Sequence, residues 1–245
     1  MKRPYLSIVL PTYTERRNVE LLIPQLEKLF KKNKWAAEIL VVDDSSPDKT
    51  AEAAQKLNRK YNNIRAIVRE KKEGIGAALK EGYDKARGEV ILSMDAALAL
   101  DINDIPRLLE KVNQGYDFVI GSKHSQLGVY EANSLAIRIK KLLSYLSTTF
   151  ARIWLGIPIH DFALNFRAIR KNAWEKLDIR EKMNAMLVEM IWQANRKGYK
   201  IHEVPVIFKE RKYGTSKVKI FEQGPDYALK IFLFGLRNWT TRKKR

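Results

Sequence analysis

The chain has no cysteine among its 245 residues, which rules out disulfides and thiolate metal sites and leaves the redox compartment open. Histidine is scarce. His124, His160 and His202 stand far apart and form no His-x-x-x-His or His-Glu-x-x-His pair, so each reads as structural or superficial rather than as a zinc ligand. No apolar run reaches the ~18 uninterrupted residues of a membrane span. Met1-Lys2-Arg3-Pro4-Tyr5 leads straight into a short strand, without the pattern of a secretory signal. No Pro/Ser-rich linker, internal repeat or low-complexity segment divides the chain. Acidic residues are the minority, 28 against 46 Lys and Arg, for a net charge of +18. That imbalance favours polyanionic partners such as nucleotides, phosphates, anionic lipid or nucleic acid.

The residues present alternate between two periodicities. Apolar runs at Tyr5–Leu10, Glu38–Val42, Ile64–Val68, Glu89–Met94 and Tyr116–Ile120 read as buried strands. Between them lie helical patterns at Arg16–Lys32, Thr50–Tyr61, Gly74–Ala86 and Ile105–Asn113. Pro24 is expected to kink the first helix or mark its true start, and Asp48 to cap the second. Strands alternating with helices of about 10–15 residues indicate βαβ units and a mostly parallel sheet. After Gly121 the order changes. Asn133–Leu155 is a long segment, apolar on one side and basic on the other, where Arg138, Lys140, Lys141 and Arg152 stand. Strands are expected at Phe162–Ile169 and Ile201–Phe208, with helices at Met186–Arg196 and Pro225–Trp239.

The chemistry concentrates where strands end. Val90-Ile91-Leu92-Ser93-Met94 stops at Asp95, followed by Ala96 and Ala97. Ligands of open α/β sheets sit outside the carboxyl ends of strands. Three other strand ends carry Pro11-Thr12-Tyr13-Thr14-Glu15, Asp43-Asp44-Ser45-Ser46 and Gly121-Ser122-Lys123. Tyr13 offers a face for a base or ribose, and Glu15 and Asp44 can accept hydrogen bonds from ribose hydroxyls or base N–H groups. The Gly74-Ile75-Gly76 turn is weak evidence by itself. The full dinucleotide fingerprint and the Gly-x-x-x-x-Gly-Lys-Ser/Thr phosphate loop are missing, which counts against a Rossmann dehydrogenase or P-loop enzyme. Glu189, on an apolar helical face, is either a satisfied buried acid or a group on the acceptor side.

An ordered set of these segments resembles family 2 glycosyltransferases. Pro11-Thr12-Tyr13-Thr14-Glu15-Arg16-Arg17-Asn18 is similar to their Pro-x-Tyr-Asn-Glu-x-x-Asn opening, and Val41-Val42-Asp43-Asp44-Ser45-Ser46-Pro47-Asp48 to their Val-Val-Asp-Asp-x-Ser-x-Asp segment. Gly74-Ile75-Gly76-Ala77-Ala78 resembles their Gly-x-Gly-x-Ala helix start, and Met94-Asp95-Ala96 the beginning of Met-Asp-Ala-Asp. Gly121-Ser122-Lys123 and Arg211-Lys212-Tyr213-Gly214-Thr215-Ser216-Lys217 resemble Gly-Ser-Arg and Arg-x-x-Gly-x-Ser-Lys of the dolichyl- and polyprenyl-phosphate subgroup. The resemblance covers nearly the whole chain.

What it implies is a GT-A-like α/β fold and a metal-dependent hexosyltransferase. The donor would be a nucleoside-diphosphate sugar, GDP-mannose favoured, and the acceptor a polyprenyl or dolichyl phosphate. Carried over by position, Pro11, Tyr13, Glu15, Val42 and Asp44 would hold the nucleoside. Asp95 and Ala96 would lie beside the diphosphate, with Mn2+ or Mg2+ on Asp95. Lys123, Arg211 and Lys217 would meet diphosphate or acceptor phosphate, Asp95, Arg211 and Lys217 being the catalytic set. Arg138, Lys140 and Lys141, with Lys123, suit the acceptor phosphate.

Several residues depart from the family pattern. Ala97 and Ala99 stand where the family has a second Asp and commonly Gln. Alanine offers a hard cation no side-chain oxygen. Either the chain is a divergent member or the ligands were removed deliberately to trap substrate, and the alternation leans to removal. Impaired turnover is expected in both cases. Asp161-Phe162-Ala163-Leu164-Asn165-Phe166 replaces Asp-Pro-x-Ser-Gly-Phe, which loses the glycine, and Lys123 replaces an arginine and its bidentate fork.

Other readings remain at this stage. One is a glycosyltransferase acting on a glycan or lipid hydroxyl, which would need a general base that is not evident. Another is a basic nucleic-acid-binding protein, against which the charge is spread and no RRM, KH or helix-turn-helix motif occurs. A nucleotidyltransferase would want a Gly-rich loop after the first strand, where Pro11-Thr12-Tyr13 stands. Residues 1–223 read as the catalytic domain. Residues 224–245 read as an apolar helix with the basic tail Arg242-Lys243-Lys244-Arg245, suited to the headgroup layer of a membrane. A cytoplasmic protein, peripheral at the cytoplasmic membrane face, is expected.

Overall fold

A computed structural model describes residues 3–125, 127–130, 135–209 and 220–242. The chain runs β1 (Leu6–Thr12), α1 (Arg16–Asn33), β2 (Ala37–Asp43), α2 (Thr50–Tyr61), β3 (Ile64–Val68), α3 (Ile75–Lys85) and β4 (Val90–Met94). A short 3-10 turn (Ile102–Asp104) leads into α4 (Ile105–Asn113) and β5 (Phe118–Ser122). Then follow β6 (Val129–Tyr130), α5 (Leu135–Leu155), β7 (Phe166–Arg170), α6 (Lys171–Trp174), α7 (Ala185–Arg196), β8 (Ile201–Pro205), β9 (Ile207–Phe208) and α8 (Ile220–Arg242).

Seven strands form one sheet in the order β3-β2-β1-β4-β7-β5-β8, and β6 pairs with β9 apart from it. The first four strands are parallel. β7 runs antiparallel to both β4 and β5, so β5 points the same way as β4. The carboxyl ends of β1, β2, β4 and β5 therefore share one rim. The amino end of β7 reaches that rim too.

Both faces of the sheet are covered, which is why its strands read as continuous apolar runs. Side chains alternate along β1. Leu6, Ile8 and Leu10 enter a core with Val19, Leu22, Ile23, Leu26 and Phe30 of α1. Val9 enters the opposite core with Leu79 and Tyr83 of α3, Met186 and Met190 of α7, and Ile231 and Phe234 of α8.

Strand ends differ from the sequence reading for identifiable reasons. β1 continues through Pro11 to Thr12. The Thr12 carbonyl accepts from the Asp44 N–H on the β2 side. Pro11 therefore turns its missing donor toward β4, whose pairing with β1 stops at Val9 and Ser93, and no ladder bond is lost. α1 begins at Arg16 and runs through Pro24 without breaking there. The strand expected from Phe162 starts only at Phe166. Asp161 Oδ1 accepts from the N–H groups of Ala163 (3.1 Å) and Leu164 (3.0 Å), a local turn that competes with extended backbone. The Ile201–Phe208 strand divides after Pro205, where Ile207 leaves the main sheet to pair with Val129.

α8 begins before Gly224, at Ile220, and lies on α5 and α7. Trp192 stacks on Phe234 at 5.0 Å and donates to Asn238 Oδ1 at 2.9 Å. Trp154 stacks on Phe232 at 5.1 Å and donates to its carbonyl at 3.0 Å. One face of this helix is thus part of the core. Glu189, on α7, is a satisfied buried acid: its Oε2 accepts from the N–H groups of Arg180 and Glu181, each at 2.9 Å.

Candidate functional site at the strand-end rim

The rim is laced together from loop to loop. Thr12 Oγ1 donates to Asp43 Oδ1 at 2.9 Å, and Ser46 donates to Asp43 through its N–H at 2.8 Å and its hydroxyl at 2.5 Å. Asp43 is thus committed to holding the β1 and β2 loops together. The Thr14 N–H donates to Ser46 Oγ at 2.8 Å. Asp48 ties two helix starts at once. Its Oδ2 accepts from the Arg16 N–H (3.0 Å) and its Oδ1 from the Thr50 N–H (3.2 Å) and hydroxyl (2.5 Å). Asp48 thus accepts from the first N–H of both α1 and α2, although the N-cap position of α2 itself is Lys49, one residue later than expected.

Three non-glycine residues in these loops adopt left-handed backbone, Thr14 at φ 57, Ser45 at φ 52 and Leu98 at φ 55. Such residues carry strain, and they cluster at functional sites. Each follows a strand end of the rim, after β1, β2 and β4.

Pro11, Tyr13, Glu15, Val42, Asp44, Asp95, Ala96 and Lys123 all lie at or beside the rim's strand ends. Glu15 is buried and accepts from the Asn18 amide. Lys72 Nζ sits 3.6 Å from the centroid of the Tyr13 ring, so a cation covers one face of that ring. Asp44 pairs with Arg69, whose Nη1 is 2.6 Å from Asp44 Oδ1. Burial raises the Asp44 carboxyl above its ordinary value, and Arg69 pulls it part of the way back. Arg69 also reaches Glu73 at 2.9 Å and Glu81 at 3.2 Å. Sequence reading missed Arg69; an arginine at the end of a short strand carries no motif.

At β5, the Lys123 N–H donates to Asp161 Oδ2 at 3.2 Å, and its Nζ lies 3.5 Å from the same oxygen. Asp161 is fully buried. Burial alone would raise its carboxyl, but Lys123, His124 and the backbone N–H groups outweigh that, and it sits below its usual range. Arg167, also fully buried, donates to the carbonyls of Phe162, Leu164 and Leu187. It shapes the loop before β7, and sequence reading did not find it either. Arg138 and Lys141 are exposed on α5, the helix that also carries Lys140. Arg211 and Lys217 lie outside the described residues.

Glycine at Gly76 has a steric cause. A Cβ there would stand 2.5 Å from the Met183 carbonyl oxygen, because the first turn of α3 abuts residues 182–183. The Ala77 N–H donates to the Lys182 carbonyl at 2.9 Å across the same junction.

The donor set for a divalent cation is short. Mg2+ and its relatives take about six oxygens, one or two of them carboxylate. Asp95 Oδ1 accepts from Asn165 Nδ2 at 2.9 Å. Ala97 and Ala99 are buried and bring no side-chain oxygen. Among the described residues no group of three His, Cys, Asp or Glu side chains could hold a metal ion. The described residues do not fit a protein-built cation chelate.

Comparison with known proteins joins this geometry to a family. The family model described as Glycosyl transferase family 2 matches residues 7–178. The chain is 34% identical over 218 residues to a polyprenol monophosphomannose synthase of Mycolicibacterium smegmatis, covering 86% of this chain and 80% of that protein. It is 35% identical over 221 residues to a dolichol-phosphate mannosyltransferase of Pyrococcus furiosus, covering 88% of this chain but only 60% of that one. Among solved structures it is similar to glucosyl-3-phosphoglycerate synthase from Mycobacterium tuberculosis in complex with Mn2+, UDP and glucosyl-3-phosphoglycerate. The TM-score is 0.69 at 16% identity, covering 96% of this chain and 79% of that one. The same enzyme with Mg2+ and UDP matches at 0.67. These structures share the GT-A architecture that the resemblance implied. With the family model spanning most of its length and two relatives above 30% identity, the chain belongs to glycosyl transferase family 2.

Proposed function

We propose that this protein transfers a mannosyl group from GDP-mannose to a polyprenyl phosphate. The observation that carries the reading is the convergence of acidic, aromatic and cationic side chains on one strand-end rim, in a chain related to two phosphomannose synthases. In this reading Glu15 and Asp44 accept hydrogen bonds from the nucleoside, beside Pro11 and Val42, and Tyr13 stacks through the face that Lys72 does not cover. Lys123, Arg211 and Lys217 meet the diphosphate, next to Asp95 and Ala96. Arg138, Lys140 and Lys141 receive the acceptor phosphate.

A phosphate oxygen attacks the anomeric carbon as the bond to the diphosphate breaks. The acceptor is already anionic, so no general base is required, and nearby cations stabilise the departing charge. Mn2+ or Mg2+ brought in with the diphosphate would add to that stabilisation. With alanine at 97 and 99 the chain gives such an ion little hold, and slow turnover is part of the reading.

A lipid-linked acceptor belongs to a membrane surface, and the reading includes peripheral association at the cytoplasmic face. No described helix is long and apolar enough to cross a membrane. Leu142, Leu146 and Ile153 of α5 and Leu229, Leu233 and Leu236 of α8 are instead exposed on two helices packed together. Arg138, Lys141, Arg152 and Arg237 are exposed on the same pair. Apolar and basic surface of this kind suits an anionic headgroup layer.

The test is transfer of labelled mannose from GDP-mannose to a polyprenyl phosphate recovered in organic solvent. Slow formation of the mannolipid is expected. The double variant Ala97→Asp with Ala99→Gln should be faster in Mn2+ by orders of magnitude. Transfer only from UDP-glucose, or only to a glycan hydroxyl, would overturn the substrate assignment. Equal rates for the two proteins would overturn the role given to the alanines.

A further inference from the structure

The carboxylate of Asp95 is held by an amide whose direction is set from inside the protein. β4 and β7 pair antiparallel with Met94 opposite Phe166, so the residues just beyond, Asp95 and Asn165, meet at the rim. Asn165 Nδ2 donates to Asp95 Oδ1 at 2.9 Å. Its Oδ1 accepts from the Ser93 hydroxyl at 2.5 Å, and Ser93 Oγ accepts from the Tyr83 hydroxyl at 2.9 Å. Tyr83 and Ser93 are fully buried and Asn165 nearly so. Burial pushes the Tyr83 phenol up to about 12, so it stays neutral, and its hydroxyl is the donor to Ser93. Ser93 has one proton; with Tyr83 donating to it, that proton goes to Asn165. The amide oxygen is thereby committed inward, and its N–H group faces Asp95. Turning Asn165 to offer oxygen to a metal would take from the buried Ser93 hydroxyl proton its acceptor.

We infer that the Tyr83–Ser93–Asn165 chain supplies Asp95 with a partner where a divalent cation would otherwise bind, and that this protein binds the nucleoside diphosphate of its donor with no dependence on such an ion. The inference rests on the donor site proposed above. It also accounts for the buried, oxygen-free positions 97 and 99. An amide donor satisfies one carboxylate oxygen without assembling the roughly six-oxygen shell of a hard cation.

Calorimetry of GDP with the full chain, in excess EDTA and in excess Mn2+, tests it. Cation and nucleotide change each other's affinity by one common factor. That factor should stay below about threefold here. Paramagnetic resonance of Mn2+ with the protein alone should show the free-ion signal unchanged, and Asn165→Asp, which turns an oxygen toward Asp95, should deplete it. GDP binding that weakens by about tenfold or more in EDTA would overturn the inference and leave the donor site standing. Capture of Mn2+ by the unaltered chain, lost in Asp95→Asn, would overturn it as well. GDP binding under neither condition would overturn the donor site and the inference together.

Discussion

Arg69 Nη1 lies 2.6 Å from Asp44 Oδ1, and both side chains are almost wholly buried. This pair joins the ends of β2 and β3, and it turns Asp44 from a lone strand-end acid into one side of an oriented ion pair. A guanidinium that occupies one carboxylate oxygen leaves the direction of the other defined. For a group meant to read a ribose or base, that is pre-organisation by a neighbour on the next strand.

Asp44→Ala should therefore weaken GDP binding by ~1–3 kcal/mol, the range for leaving a buried partner unsatisfied. Arg69 keeps Glu73 and Glu81, so the protein should still fold. Calorimetry measures the loss, and unchanged affinity would remove Asp44 from the nucleoside site.

Asp48→Ala releases the starts of two helices in one substitution. A lost helix cap costs about 0.5–2 kcal/mol, and here α1 and α2 share the acceptor, so destabilisation toward 2 kcal/mol or somewhat beyond is expected. Urea unfolding measures it. A cost below ~0.5 kcal/mol would show that the shared cap carries little.

Gly76→Ala should destabilise the chain by about 1–3 kcal/mol, the usual range for forcing extra volume into a packed junction. The obstacle is backbone, the Met183 and Lys182 carbonyls, which cannot rotate away like a side chain. Retention of full stability in thermal unfolding would mean that the α3 junction is looser than described.

His124 sets a pH dependence. Burial is the main reason its pKa falls from 6.5 to about 4, with Lys123 and Lys141 pushing the same way and Asp161 opposing them. Between those values the unfolded chain binds a proton that the folded chain refuses. Stability therefore drops as pH falls from about 6.5 to 4, and the effect levels off below that. Melting temperatures of the wild-type chain and His124→Gln across that window should diverge, the variant falling less steeply. Parallel curves would contradict the assignment.

Membrane attachment is best probed on the outer faces, because Ile231 and Phe234 of α8 are core residues. Leu142→Ser with Leu146→Ser should reduce sedimentation with anionic vesicles while leaving the melting temperature nearly unchanged. Added salt should weaken the remainder. Undiminished binding would place the attachment surface elsewhere.

The βαβ half of the molecule was readable because each strand is buried on both faces and each helix shows one apolar side. The last third was less so. β7 lies between β4 and β5 in the reverse direction, and nothing in Phe166-Arg167-Ala168-Ile169-Arg170 encodes that neighbour or that direction. The rim acids could be named from their positions at strand ends. Their partners could not: Arg69, Asn165 and Arg167 act through long-range contacts that leave no local pattern. Asn165 was visible only as a lost glycine, and its bond to Asp95 follows from the β4–β7 register.

The amide facing Asp95 also constrains how this sequence can drift. Ala97 and Ala99 are each 2% exposed. The single change Ala97→Asp would put a second carboxylate in an enclosed position near Asp95 while Asn165 still points its N–H groups there. That acid would meet repulsion and desolvation until a divalent cation bound. Asn165→Gly alone would take the Asn165 amide from Asp95 and add no ligand. Each single change is thus uphill while no cation is bound, so the amide at 165 and the alanines at 97 and 99 support one another at a rim without a metal.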